Sequence, residues 1–230
     1  MKHFTWVQHT YSDKDPSKQI AKEGKHFYES PTGETYPSVT AMIYHNQDMS
    51  WKEGWKRGLM KQFSISDNDA AAVQNYIFKR SGVKGTAVHN TVESYLTNDF
   101  KQPKDILTKG HFEQIKQLVD KIDNIRACEI GLYSDNMKLG GMADCIAEHN
   151  GVLSVIDFKT SRKKKYERDI EGYFIQATCY ALMWEELTNE RVERIVIMIT
   201  CEDGNVQEFV KNPANYTNLL HERIAEFNKK

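Results

Sequence analysis

The sequence predicts an α/β fold: a central mixed β-sheet flanked by helices, with a helical addition at the amino-terminal end. Three observations predict it. From about Lys84 to Cys201 the segments read helix, three strands, helix, strand, an alternation that builds layered sheets. The candidate strands are apolar on both faces, Ile146 and Val155 on one, Ala147 and Ile156 on the other, as expected of a sheet covered on both sides. The run Ile195-Val196-Ile197-Met198-Ile199 is continuously apolar, the mark of an interior strand.

At 230 residues and 40% hydrophobic content, the chain can bury the core of one domain. That domain is expected to span 1–230, with an arm, a small hairpin and helices over 1–80 and the sheet-bearing core over 81–230. The formal net charge of −1 argues against a generally basic nucleic-acid coat, so any phosphate binding must come from local patches. Cys128, Cys145, Cys179 and Cys201 are widely spaced, without a Cys-x-x-Cys pair. This fits reduced thiols better than a disulfide framework or a zinc site. The first residues lack the apolar run of a signal peptide and soon reach Asp13 and Asp15. No apolar run approaches membrane-spanning length, so a soluble, cytoplasmic protein is expected.

Residues up to about Gly24 are polar and weakly patterned and read as an arm or irregular lead-in. Lys25–Tyr36 reads as a small hairpin turning at Ser30-Pro31-Thr32-Gly33. Ser38 caps a short helix to about Tyr44, and a Trp-rich helical stretch follows around Trp51 and Trp55. Tyr44, Trp51, Trp55 and Phe63 are of a kind that stacks bases, but aromatics at helical spacing are more often core, and core is the expectation here. Ser66-x-x-Asp69 is a capping box opening a helix to about Lys79, with Ser81-Gly82 punctuating it. A second helix, from about Lys84 to Leu96, buries Val88, Val92, Tyr95 and Leu96. His89 and Glu93 lie one turn apart on that helix and share a face; alone, they fit a solvated pair as well as metal ligands. Lys101–Lys109, with Pro103, is a loop, and His111 to about Asn124 is an amphipathic helix. Ala127–Ser134 then reads as a strand.

Two apolar runs flank Asn150-Gly151, a strong short-range hairpin signal. A two-residue type I′ turn there sets His149 against Val152, Ile146 against Val155 and Cys145 against Ile156, and brings Asp144 opposite Asp157. Lys159 falls on the same face as Asp157, because strand side chains alternate. Opposed carboxylates destabilise a strand pair and raise each other's pKa unless a cation lies between them. A hard divalent ion resolves the conflict; so, less specifically, does an ordinary surface hairpin neutralised by Lys159.

Arg162-Lys163-Lys164-Lys165 is the most basic run in the chain. A helix follows from Glu167 to Leu187, then the strand Arg194–Cys201, a turn at Asp203-Gly204 and an edge strand, Val206–Val210. Pro213 opens a last helix to about Phe227.

Five features in order carry a resemblance: Gly85-Thr86-Ala87-Val88-His89; Glu93; Gly141-Met142-Ala143-Asp144; Ile156-Asp157-Phe158-Lys159-Thr160-Ser161; and Gln176-x-x-x-Tyr180. With them the chain resembles the PD-(D/E)xK nuclease superfamily, in its RecB-type exonuclease branch. Tyr36-Pro37-Ser38-Val39-Thr40 further resembles small stand-alone members of phage and mitochondrial genome maintenance type. The likeness covers roughly Tyr36 to Tyr180.

It implies a PD-(D/E)xK core and a metal-dependent DNA exonuclease acting from free ends, with single-stranded DNA as the expected substrate. The implied role is in replication, recombination or repair, in the host cytoplasm if the chain is phage-encoded, alongside recombination or replication proteins. Asp144 and Asp157 would ligate Mg2+ or Mn2+, with the Phe158 carbonyl and His89 or Glu93 completing the shell. Glu93 joins Asp144, Asp157 and Lys159 in the catalytic set, and Lys159 would orient and help deprotonate the attacking water or donate to a phosphate oxygen. Thr160, Ser161, Arg162, Lys163 and Lys164 would contact DNA, and Gln176 and Tyr180 would brace the site or contact the DNA backbone. The scattered cysteines argue against the iron–sulfur cluster that some members carry, and no phosphate-binding loop of a motor ATPase is present. Two alternatives stay open: a structure-specific endonuclease on the same fold, and an inactive DNA-binding relative, although the latter should have lost a carboxylate or the lysine.

Overall fold

The computed structural model describes residues 1–8, 16–22, 25–45 and 50–229. A small antiparallel sheet comes first, formed by β1 (Lys18–Lys22), β2 (Lys25–Glu29) and β3 (Thr35–Pro37). The β2–β3 turn closes where Gly33 N donates to Ser30 O at 2.9 Å. Ser38 accepts from Ala41 N to cap α1 (Val39–Ile43). Then follow α2 (Ser50–Phe63), α3 (Asp67–Leu96) and α4 (Ile106–Val119). The main sheet is built from β4 (Ile122–Ser134), β5 (Leu139–His149) and β6 (Val152–Ser161), then α5 (Glu171–Thr188), β7 (Arg194–Cys201), β8 (Val206–Lys211) and α6 (Thr217–Phe227).

The five long strands lie in the order β4-β5-β6-β7-β8. All neighbours are antiparallel except β6 and β7, which α5 connects, so the sheet is mixed as expected. Asn150 and Gly151 have φ of 50° and 76°, the two positive values a type I′ turn requires. The register follows: His149 faces Val152, Ile146 faces Val155 and Cys145 faces Ile156.

Alternation along the strands makes two cores. Ile146, Val155, Ile195, Ile197 and Ile199 pack with α5, including Phe174, Ala177 and Trp184. Ala147, Ile156, Val196 and Met198 pack on the other face with Val88, Val92, Phe112 and Ile115 from α3 and α4.

The structure corrects four readings. The expected break at Ser81-Gly82 is absent, and α3 runs unbroken for 30 residues. A mid-helix glycine costs only about 1 kcal/mol, and the Ser66–Asp69 cap together with burial of Val88 to Leu96 outweighs it. The helix placed at His111 to Asn124 ends instead at Val119, and β4 starts at Ile122. Ile122 continues the helical spacing of Leu118 but is buried as a strand residue, so both periods claimed it. The amino-terminal residues are not a free arm: Phe4 is buried against Tyr95, Asn98 exchanges two hydrogen bonds with the Phe4 backbone, and Trp6 bridges to Ile125. The part of that reading over residues 9–15 lies outside the described residues. Finally, the aromatics expected in the core are largely at the surface, with Tyr44 47%, Trp51 48% and Phe63 58% exposed.

Candidate active site

The site lies where two sheet neighbours part. β5 and β6 pair regularly as far as Cys145 and Ile156, one step short of the predicted Asp144–Asp157 facing pair. There the ladder stops, and Phe158 N donates to the Asp144 side chain, to Oδ2 at 2.8 Å. β6 meanwhile runs on beside β7, with Asp157 against Ile197 and Lys159 against Ile199. The two carboxylates therefore share a level of the sheet without the flush pairing that repulsion would penalise. A strand residue presents its N–H and C=O to the same edge, so the Phe158 carbonyl also faces the β5 side of this fork.

Asp157 is 2% exposed. Lys159 Nζ donates to its Oδ1 at 2.6 Å. Nζ is as close to Oδ2 but lacks the angle a hydrogen bond needs, and Oδ2 is left without a hydrogen-bond partner among the described residues. Burial, reinforced by the charge of Asp144 and opposed by Lys159, raises the Asp157 pKa to about 6. Burial pushes the Lys159 ammonium down, but Asp157 and Asp144 more than offset this and hold it above its ordinary value. Lys159 Nζ also stands 5.2 Å from the centre of the Tyr173 ring on α5.

From the other core face, α3 delivers His89. Its Nδ1 is 3.5 Å from Asp144 Oδ2 and 3.8 Å from Glu129 Oε1. Burial lowers its pKa, but Asp144 and Glu129 outweigh this and lift it to about 9. His89, Glu129 and Asp144 can bring one donor atom each within 4.8 Å of one another. Glu93, one turn on, is outside that trio, yet its pKa is raised by burial and by the charge of Glu129.

Sequence reasoning missed Glu129. It sits inside β4 with φ of 48°, in the left-handed region that costs a non-glycine residue about 1–2 kcal/mol. The β4–β5 pairing skips it and Asp144 together: Cys128 faces Cys145, and Ile130 faces Ala143. Both strands change phase at that level, since Ala127 and Ile130 share one core although three residues apart. Period-two counting loses Glu129 at this slip. The signal available in advance was a carboxylate on the strand next to Asp144. Tyr173 was missed as well, since nothing in the Glu167–Leu187 helix pattern marks it as a neighbour of Lys159.

Gln176 Nε2 donates to Tyr180 Oη at 3.0 Å. The buried Tyr180 ring lies so close over Gly141 that a Cβ there would overlap it, which braces the backbone three residues before Asp144. Thr160, Ser161, Arg162, Lys163 and Lys164 line a cleft of about 1450 Å³ beside the site. Ser161 Oγ donates to Lys163 O at 2.7 Å, and Gln207 exchanges hydrogen bonds with the Lys165 backbone, so both ends of this basic loop are held.

The donor set fits a hard divalent cation. It is oxygen-rich with a single imidazole, and it brings donor atoms of His89, Glu129 and Asp144 within 4.8 Å of one another. Among the described residues no helix is long and apolar enough to cross a membrane.

Comparison with known proteins agrees with this geometry. The chain is 26% identical over 135 residues to human mitochondrial genome maintenance exonuclease 1, covering 56% of this chain and 38% of that protein. The Xenopus tropicalis protein of the same name is 25% identical over 179 residues, covering 74% of this chain and 50% of the relative. The chain thus spans half or less of the length of these relatives. A solved structure from Eubacterium rectale overlays with a TM-score of 0.43 at 14% identity, over 64% of this chain and 63% of that one, too weakly to carry an argument. Residues 101–227 match the PD-(D/E)XK nuclease superfamily, a stretch that holds Glu129, Asp144, Asp157 and Lys159 but starts beyond His89 and Glu93. With more than half of its length in that match, the chain belongs to the PD-(D/E)XK nuclease superfamily.

Proposed function

We propose that this chain is a metal-dependent DNA exonuclease that hydrolyses phosphodiester bonds from free ends, with a preference for single strands. The observation that carries the reading is the Asp157–Lys159 pair, 2.6 Å apart, in the strand fork opposite Asp144 and His89. Asp144, Asp157, His89 and the Phe158 carbonyl would hold Mg2+ or Mn2+, with carboxylates of Glu129 and Glu93 close by. When bound, such an ion activates water and offsets charge on the phosphoryl oxygens.

The chain's own groups do the rest. Lys159, held above its ordinary pKa by Asp157 and Asp144 despite burial, would orient the attacking water and help deprotonate it, or donate to a non-bridging oxygen. Asp157 fixes that ammonium, and Tyr180 with Gln176 braces the strand that carries Asp144. Arg162, Lys163 and Lys164 would hold neighbouring phosphates, a contribution that weakens with salt.

The unit proposed is one nuclease domain with 81–230 as its catalytic core, acting in replication, recombination or repair beside the proteins of those processes. A cytoplasmic setting, host cytoplasm for a phage-encoded chain, is part of the same proposal. Support for the exonuclease mode comes from the likeness to the mitochondrial exonucleases. The test is a matched pair of linear and covalently closed single-stranded DNA with Mn2+ or Mg2+. Loss of the linear strand alone is expected; cleavage of the closed circle would select an endonuclease instead.

A further inference from the structure

The cleft lined by the basic loop is also lined by aromatic rings. Trp51 and Phe78 are 48% and 41% exposed, and both line the cleft with Trp55 and Tyr44. The Phe78 ring centre lies 6.0 Å from Trp51 and 5.5 Å from Trp55, edge to face, so α2 and α3 present a fixed group of rings. Lys52 Nζ lies over the Trp51 and Phe78 rings, 5.8 Å and 5.2 Å from their centroids. Soluble proteins rarely leave such a group open without a partner.

Arg162, Lys163 and Lys164, all exposed, line the same cleft. So does Tyr173, whose ring centre is 5.2 Å from Lys159 Nζ, so the cleft adjoins the candidate catalytic fork. Its lining offers aromatic rings and cations beside that fork. A strand of unpaired nucleotides matches all three, because its bases expose π-faces that a duplex keeps stacked within itself. An apolar protein partner would leave the cations unanswered.

We propose that Trp51, Trp55 and Phe78 form a stacking platform for the unpaired bases of a DNA strand whose phosphates lie on Arg162, Lys163 and Lys164. This rests on the nuclease reading of the adjoining site and names the residues that give the cleft its strand preference. Stacking contributes about fivefold or more in affinity per base and tolerates any sequence. The cations contribute a salt-dependent part that ignores the bases.

The test is fluorescence anisotropy, in chelator, of a labelled thymidine oligonucleotide against an abasic strand with the same number of phosphates. The wild-type chain should bind the base-bearing strand at least about fivefold tighter. Trp51→Ala with Trp55→Ala should bring the ratio of the two affinities to about one, whereas Trp51→Phe with Trp55→Phe should keep most of it. Replacing Arg162, Lys163 and Lys164 by Ala should weaken both strands alike and flatten the salt dependence. Because the readout is a ratio within one preparation, partial loss of fold lowers both affinities and leaves the ratio unmoved. Equal binding of the two strands by the wild type, or a base preference that survives loss of both Trp rings, overturns the platform. Base-dependent binding without hydrolysis in Mn2+ would instead overturn the nuclease reading and leave the platform standing.

Discussion

Glu129 separates stability from function in one residue. Its φ of 48° carries a left-handed penalty of about 1–2 kcal/mol that glycine escapes, and its carboxylate stands near Asp144, His89 and Glu93. Glu129→Gly should therefore stabilise the metal-free protein by about 1 kcal/mol, a rise of roughly 2–4 °C in Tm for a chain of this size. Glu129→Gln removes the charge but keeps the strain, and should change stability little. Both should weaken Mn2+ binding by about tenfold or more, the scale on which loss of a ligand or its close support acts, and slow hydrolysis with it. Urea and thermal unfolding in chelator measure the first effect, and calorimetric titration with Mn2+ measures the second. If Glu129→Gly melted lower than wild type, or if both variants bound Mn2+ as tightly as before, the strain argument or the ligand argument respectively would be wrong.

Gly141→Ala pushes a methyl into the buried Tyr180 ring. It should cost about 1–3 kcal/mol by overpacking and reduce hydrolysis through the strand that bears Asp144; in a Tyr180→Ala background the same change should cost less, as a double-mutant cycle would register. His89 titrates near 9 in the metal-free protein, and a ligand imidazole must be neutral. Metal binding should therefore release a proton, and apparent Mn2+ affinity should rise by up to about tenfold per pH unit below 9, readable by calorimetry in buffers of different ionisation enthalpy. His89→Ala should flatten that slope. His149 is buried, which depresses its pKa despite Glu208; its folded value lies below the unfolded 6.5, so its contribution is present above about 6.5 and is lost as pH falls below it. Chemical unfolding at a series of pH values should show that acid loss, and His149→Gln should lessen it.

Where local chemistry dominates, the sequence was readable. Asn150-Gly151 dictates a turn that fixes every pairing out to Cys145 and Ile156, and so puts Asp144, Asp157 and Lys159 at one end of a hairpin. Ser38 and Ser66 cap the helices their positions announce. Legibility failed where tertiary packing overrode local preference. Gly82 reads as a break, but a helix buried at its far end carries through it. Ile122 satisfies both helical and strand periods, and its neighbours in the sheet decide. Glu129 could not be found by alternation because alternation fails at that residue. Trp51 and Tyr44 looked like core because composition carries no information on whether a helix face meets protein or a cleft; Trp51 on α2 and Tyr44 at the end of α1 both line the open cleft.

The central claim is that Asp157 and Lys159, in the fork with Asp144, hydrolyse DNA from its ends. The most direct measurement is a digestion time course in Mn2+ on linear single-stranded DNA labelled at the 5′ end or at the 3′ end, for wild type, Asp157→Ala and Lys159→Ala. The account predicts progressive loss of the strand by the wild type, with the earlier release of one label giving the polarity, and a fall of about a hundredfold or more in each variant. Digestion at the wild-type rate by both variants would contradict it.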